Sequence, residues 1–205
     1  METDFSSVLL SDAVGEFAKL PGIGKKTALR LVLHFLKQPK EVVGGFTNSL
    51  TTMKEGVRFC KICKNISDNE VCNICSNTKR NHKIICVVEN IKDVIALENT
   101  QQFFGVYHVL GGIISPLNGV APSDLFINEL IERIEKNKPE EIIFALNTTM
   151  EGDTTSFYLF KKISKFDVKI TTIARGVAFG DELEYTDELT LGRSIKNRVG
   201  FEIGN

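Results

Sequence analysis

Long apolar runs are missing from this chain. No stretch of its 205 residues approaches the roughly 20 apolar residues that cross a bilayer, so membrane-spanning functions drop out and no membrane partner is expected. The N-terminus is acidic and amphipathic. It lacks the basic start and apolar middle of a secretory signal, which makes the cytoplasm the expected compartment. The pattern GxxxxGK followed by Ser or Thr is absent too, which removes the Walker A phosphate cradle and with it the expectation of ATP hydrolysis. Tyrosine is scarce, and none of Tyr107, Tyr158 and Tyr185 stands in a context that suggests a topoisomerase nucleophile. Charge of one sign is lacking as well. The net charge is −1, so any hold on nucleic acid has to come from a local patch. No internal repeat or low-complexity tract is present.

The charge that is there is uneven. Residues 1–80 hold 12 Lys or Arg against 8 Asp or Glu, whereas residues 81–205 hold 13 against 18. Phosphate contacts are therefore expected on the N-terminal part.

The periodicity sets out an alternating chain. A first helix starts near Ser6 or Ser7, either of which suits an N-cap. It ends before Leu20-Pro21-Gly22-Ile23-Gly24. A second helix carries Ala28, Leu31, Val32 and Phe35 on one face, and Pro39 stops it. Val42, Val43, Phe46, Leu50 and Met53 predict a third helix despite Gly44 and Gly45 within it. Beyond a cysteine module at about 57–78, the run Ile84-Ile85-Cys86-Val87-Val88 reads as a strand covered on both faces. A helix at 91–98, a strand at 107–110 and a turn-rich loop at 111–122 follow. A helix capped by Ser123 or Asp124 then presents Ile127, Leu130, Ile131 and Ile134. The remainder reads as a strand at 142–146, a helix at about 155–166 and a strand at about 168–174. This alternation predicts right-handed crossovers and a mainly parallel sheet flanked by helices. The last thirty residues carry no clear pattern.

Pro21-Gly22-Ile23-Gly24, followed by Lys25-Lys26-Thr27, has a physical logic. Glycines let the backbone turn sharply and approach a phosphate without a Cβ in the way. The next helix then points free N–H groups and its positive dipole end at that phosphate. Lys26, Arg30, His34 and Lys37 share one polar stripe opposite the apolar one. This looks like a helix-hairpin-helix motif, which grips the backbone of nucleic acid without reading sequence. The same residues also suit a plain helical hairpin with a solvated face. The candidate DNA contacts are Lys25, Lys26 and Arg30.

Five cysteines are present, four of them in two CxxC pairs, Cys60 with Cys63 and Cys72 with Cys75. Two such turns can present four thiolates to one tetrahedral ion. Zinc suits that donor set, in a closed structural site with no position left for substrate. Residues 64–71 cannot build a core, so the metal would supply their folding energy. A disulfide pair and an iron–sulfur cluster are the competing readings of the same spacing. Cys86, inside an apolar run, reads as a buried small hydrophobe.

Glu89 directly follows the first long strand, and Asp93 lies one turn into the next helix. Glu151 and Asp153 follow the 142–146 strand, in Glu151-Gly152-Asp153. Residues just past parallel strands gather at the carboxyl-end crevice. Carboxylates clustered there would repel one another, and Mg²⁺ would relieve that. Solvated loop acids are the other reading. A strand-end glutamate followed by an acid-x-acid pair resembles the Toprim domain of primases, topoisomerases and repair nucleases. This chain carries Glu-Gly-Asp where that domain usually carries Asp-x-Asp.

Taken in order, hairpin, four-cysteine knuckle and Toprim-like sheet resemble the RecR family of recombination mediators. The match runs through Leu20–Ala28, the two CxxC pairs, Tyr107-His108-Val109-Leu110-Gly111-Gly112 and Ser115-Pro116-Leu117-Asn118-Gly119. It continues in Glu151-Gly152-Asp153-Thr154-Thr155, Ala174-Arg175-Gly176 and Leu183–Arg193. The resemblance implies a multi-module α/β chain: helix-hairpin-helix at 1–56, C4 zinc finger at 57–80, Toprim domain at 81–176, and a short Walker-B-like, oligomer-forming segment at 177–205. There the family usually has Gly-Gly-Asp-Leu-Glu-Tyr, and this chain has Gly180-Asp181-Glu182-Leu183-Glu184-Tyr185. It further implies a non-enzymatic role in DNA repair, in which a ring-like dimer or tetramer holds single- and double-stranded DNA without sequence preference. With RecO and RecF as partners, it helps load RecA at single-strand gaps, in the cytoplasm at the nucleoid. Lys26 and Arg30 then match DNA-contacting positions, and Glu89 and Asp93 match acids used for partner binding. A Toprim-type, Mg²⁺-dependent nuclease or primase is the alternative.

Overall fold

The computed structural model describes residues 7–200, which divide into two compact units at residue 57. In the N-terminal unit, α1 (Val8–Ala18) starts where Ser7 Oγ accepts the N–H of Leu10. α2 (Lys25–Leu36) follows a tight turn in which Ile23 donates to the Leu20 carbonyl and Gly22 takes φ +80°, a conformation that favours glycine. α1 packs on α2 around Val14, Ala28 and Val32, with Phe17 stacked on Phe35. α3 (Lys40–Gly56) starts at Pro39 and runs through both glycines, and Phe46 lies against Phe35 at 5.0 Å.

The second unit opens with the ribbon β1 (Arg58–Phe59) and β2 (Ile66–Ser67) and the one-turn α4 (Asn73–Ser76). Then come β3 (Ile84–Val88), α5 (Ile91–Asn99), β4 (Val106–Val109), α6 (Ile127–Asn137), β5 (Glu141–Ala145), α7 (Met150–Ile163), β6 (Lys169–Thr172) and α8 (Glu188–Lys196). The four long strands form one parallel sheet in the order β4-β3-β5-β6, flanked by helices. Its two faces are apolar. Ile85, Val87 and Val106 meet Leu130, Ile134, Leu159 and Ile163 on one side, while Cys86, Val88 and Tyr107 meet Val94 on the other. A strand buried on both sides reads as a continuous apolar run, as β3 does.

Three sequence expectations need correction. The helix expected to be capped by Ser123 or Asp124 is α6, which begins at Ile127 with Phe126 at its N-cap, while Ser123 and Asp124 lie in a separate single turn. The helix expected at 155–166 is α7, and it begins five residues earlier, at Met150. Thr149 caps it, its Oγ1 accepting the N–H of Gly152 at 3.1 Å. Gly152 is inside the helix because nothing larger fits: a Cβ there would run into the carbonyl oxygen of Asn147. Glu151 and Asp153 therefore stand in a first helical turn, where acids suit the dipole, and not on a loop. The patternless C-terminal stretch contains α8, capped by Asp187, whose carboxylate accepts the N–H of Thr190 at 2.9 Å.

Candidate functional site

The glycine turn delivers α2 with Lys25 and Lys26 in its first turn and no acid beside them. Cations there oppose the helix dipole, so the arrangement disfavours the isolated helix and favours an anion brought to its end. Lys26, Arg30, His34 and Lys37 line one shallow groove of about 580 Å³ with Thr27, Leu29 and Leu33. Lys25 is exposed but does not line the groove. No carboxylate contributes to this lining, so its charge is available to a phosphate chain.

Both CxxC pairs converge. Cys60, Cys63, Cys72 and Cys75 are buried, and their sulfurs lie within 4.8 Å of one another. Cys63 and Cys72 stand 3.5 Å apart, near the roughly 3.8 Å edge of a tetrahedron with ~2.3 Å zinc–sulfur bonds. No disulfide joins any of the five cysteines. Local turns build the cage. Cys60 donates its N–H to the Asn65 carbonyl, Lys64 returns one to Cys60, and Lys64 takes φ +61° to close the knuckle. The Cys72 N–H donates to Cys60 Sγ at 3.3 Å, and the Cys75 N–H to Cys72 Sγ at 3.5 Å. The thiols hydrogen-bond among themselves so that Cys72 is held far below the usual thiol range, while Cys63 and Cys75 are pushed above it. Four crowded sulfurs cannot all ionise unaided, and a divalent cation is what lets them.

The cage is tied to the sheet. The Cys63 carbonyl accepts the N–H of Val109 at 2.8 Å on the open side of the edge strand β4. Ile74 packs from α4 into both sheet cores as well as the sulfur cluster. Lys64 pairs with Glu129 of α6 at 3.2 Å and lies over the Phe126 ring.

Three of the four acid side chains are engaged, each separately. Glu89 accepts from the side-chain amide of Asn147 at 2.7 Å. Asp93 accepts the N–H of Asn90 at 2.9 Å, closing a capping box on its own helix. Asp153 holds Arg175 at 2.7 Å and Arg193 at 3.7 Å. Glu151 lends only its backbone carbonyl, to Thr155. Among the described residues the four cysteines are the one group of three or more ligand side chains within 4.8 Å of one another. The sequence reading missed Arg175 and Arg193 as partners of Asp153. Their target lies 22 and 40 positions away, beyond the reach of any local pattern.

Of the tyrosines, Tyr107 is buried. Its hydroxyl donates to Glu98 at 2.7 Å, and burial together with that carboxylate pushes the phenol well above its usual range.

Four family models match in chain order: the RecR helix-hairpin-helix over residues 10–54, the RecR four-cysteine zinc finger domain over 57–77, the Toprim domain over 83–174 and the RecR C-terminal segment over 176–199. The "Recombination protein RecR" of Flavobacterium johnsoniae is 60% identical over 199 residues, 97% of each chain. The chain belongs to the RecR family. Its RecR relatives in Bacteroides thetaiotaomicron, at 58% identity over 98% of each chain, and in Cytophaga hutchinsonii, at 56% over 97% of this chain and 98% of that one, extend the match across the whole length. A RecR chain is a DNA recombination protein, and the four close cysteines are its single structural zinc site. No described helix is long and apolar enough to cross a membrane.

Proposed function

We propose that this RecR chain is a recombination mediator and not an enzyme. It holds single- and double-stranded DNA through the α2 face, gathers several copies into a ring, and acts with RecO, and RecF where present, to place RecA on single-strand gaps in the bacterial cytoplasm. The observation that carries the reading is the acid-free groove of Lys26, Arg30, His34 and Lys37 behind the glycine turn. Its charges run along one helix face and meet phosphates, not base edges, so binding is indifferent to sequence. A few exposed cations give weak binding per copy, and a ring multiplies them by avidity. The internal engagement of Glu89, Asp93 and Asp153 favours a structural or partner-binding role for these acids over Mg²⁺ chemistry.

The test is DNA binding by the full chain and by a Lys26→Ala, Arg30→Ala variant across a salt series. The double variant is expected to bind all sequences more weakly. Its log-affinity against log-salt slope should be shallower by about one unit for each phosphate the variant no longer neutralises. An unchanged slope removes the α2 face from the reading. Mg²⁺-dependent cleavage or primer synthesis that disappears in Glu151→Ala would favour the Toprim-type enzyme instead.

A further inference from the structure

Arg133 is a buried cation without a carboxylate. It lies on α6 with 7% of its surface exposed. One guanidinium nitrogen donates to the Tyr107 carbonyl on the outer edge of β4 at 2.6 Å, and its Nε finds no partner. No ion pair within 4.0 Å involves it among the described residues. A guanidinium does not shed its proton in a protein, so burial leaves a full charge needing compensation. Arg133 lines one groove with Lys61, Ile62 and Lys64, the knuckle residues that flank the zinc ligand Cys63, and burial lowers its affinity for its proton.

The zinc site poses the complementary problem. Four thiolates and one Zn²⁺ carry −2, and here they are sealed from water. Lys64, the next residue after Cys63, is already paired with Glu129. We propose that Arg133 is the internal counter-charge of the zinc–thiolate centre, so that metal binding and the seating of the knuckle on the β4 edge are one coupled event. With zinc bound, cation and dianionic cage compensate each other inside the fold. Without it Arg133 is a buried cation with no opposite charge within 4.0 Å among the described residues. The contact to Tyr107 and the bond from Val109 to Cys63 lie on the same strand edge, which places the charge pair at the joint between the knuckle and the sheet.

The coupling separates a counter-charge from a packing residue. Arg133→Gln keeps an N–H donor for the Tyr107 carbonyl and removes the charge, while Arg133→Lys keeps the charge. Zinc affinity of the full chain is measured by competition with a chromophoric chelator, and melting is followed with zinc bound and after chelation. Arg133→Gln is expected to lose zinc affinity about 10- to 100-fold, the range typical of groups that support metal ligands. It should also melt lower than the parent when loaded yet no lower once chelated. Arg133→Lys should stay within a few-fold of the parent. Gln and Lys variants that behave alike, or a Gln variant lowered equally in both states, would overturn the proposal. Hydrogen exchange on the parent is independent of any variant's folding. Chelation should speed exchange at 106–109 and 127–137 along with the knuckle, and a change confined to 58–77 would also overturn it.

Discussion

The backbone N–H of Val109 donates to the carbonyl of Cys63 at 2.8 Å, which sets a zinc ligand's own peptide on the open edge of the parallel sheet. An uncovered edge strand offers unpaired backbone groups to other chains. Here the knuckle covers β4, so the metal that folds the knuckle also protects the sheet.

Cys60→Ser should therefore do more than unfold a short loop. The variant is expected to carry no stoichiometric zinc and to be destabilised by about 3 kcal/mol or more, roughly 10 °C in melting temperature for a chain of this length. It should also self-associate through β4. Metal analysis, thermal melts and light scattering on fresh protein check this. Full zinc occupancy in the variant would remove Cys60 from the ligand set.

Gly152→Ala tests the close approach in the Glu-Gly-Asp segment. The methyl group would overlap the Asn147 carbonyl oxygen, a backbone atom that cannot swing aside. A loss of about 3 kcal/mol is expected, the upper end of overpacking. The urea midpoint reads it, and an unchanged midpoint would mean that Asn147 and α7 are free to separate.

His108 predicts an acid-sensitive fold. It is fully buried, donates from Nε2 to the Phe126 carbonyl at 2.7 Å, and burial drives its pKa down from 6.5 to about 4. The unfolded chain binds its proton near pH 6.5 and the folded chain only near pH 4. Stability from this residue is thus complete above pH 6.5 and falls as pH drops toward 4, by up to about 3 kcal/mol. Zinc release at acid pH adds its own slope. The measurement is therefore the difference between the parent and His108→Gln, which keeps a donor for Phe126. Parallel pH profiles for the two would refute the assignment.

Asp153→Asn should loosen the C-terminal segment. It removes the charge that draws Arg175 and Arg193 together. These groups are partly exposed, so the expected stability change is modest, about 1 kcal/mol. Amide exchange in residues 188–196 is the sharper readout. Unaltered protection there would show that α8 is held by other contacts.

Much of this was legible in the chain itself. The two CxxC pairs specify a four-thiol cage because two cysteines three apart always share one turn. The apolar run Ile84–Val88 marked a doubly covered strand, and Lys26, Arg30, His34 and Lys37 recur at the helical repeat and do share one groove. Gly152 falls outside the helix expected at about 155–166, and only the Asn147 carbonyl beside it explains its place in α7. Arg133 gave no signal, since an arginine next to Ile134 on an amphipathic helix normally points to water.

The sequence alone determined most of the long elements, the family and the zinc donors, all of which depend on spacings of a few residues or on local backbone preference. Tertiary structure decided where the isolated charges went. Asp153 meets Arg175 and Arg193, and Arg133 turns inward to the Tyr107 carbonyl on β4, only because the strand order β4-β3-β5-β6 brings distant segments together. A buried charge is governed by what surrounds it in space, and no periodicity along the chain encodes that.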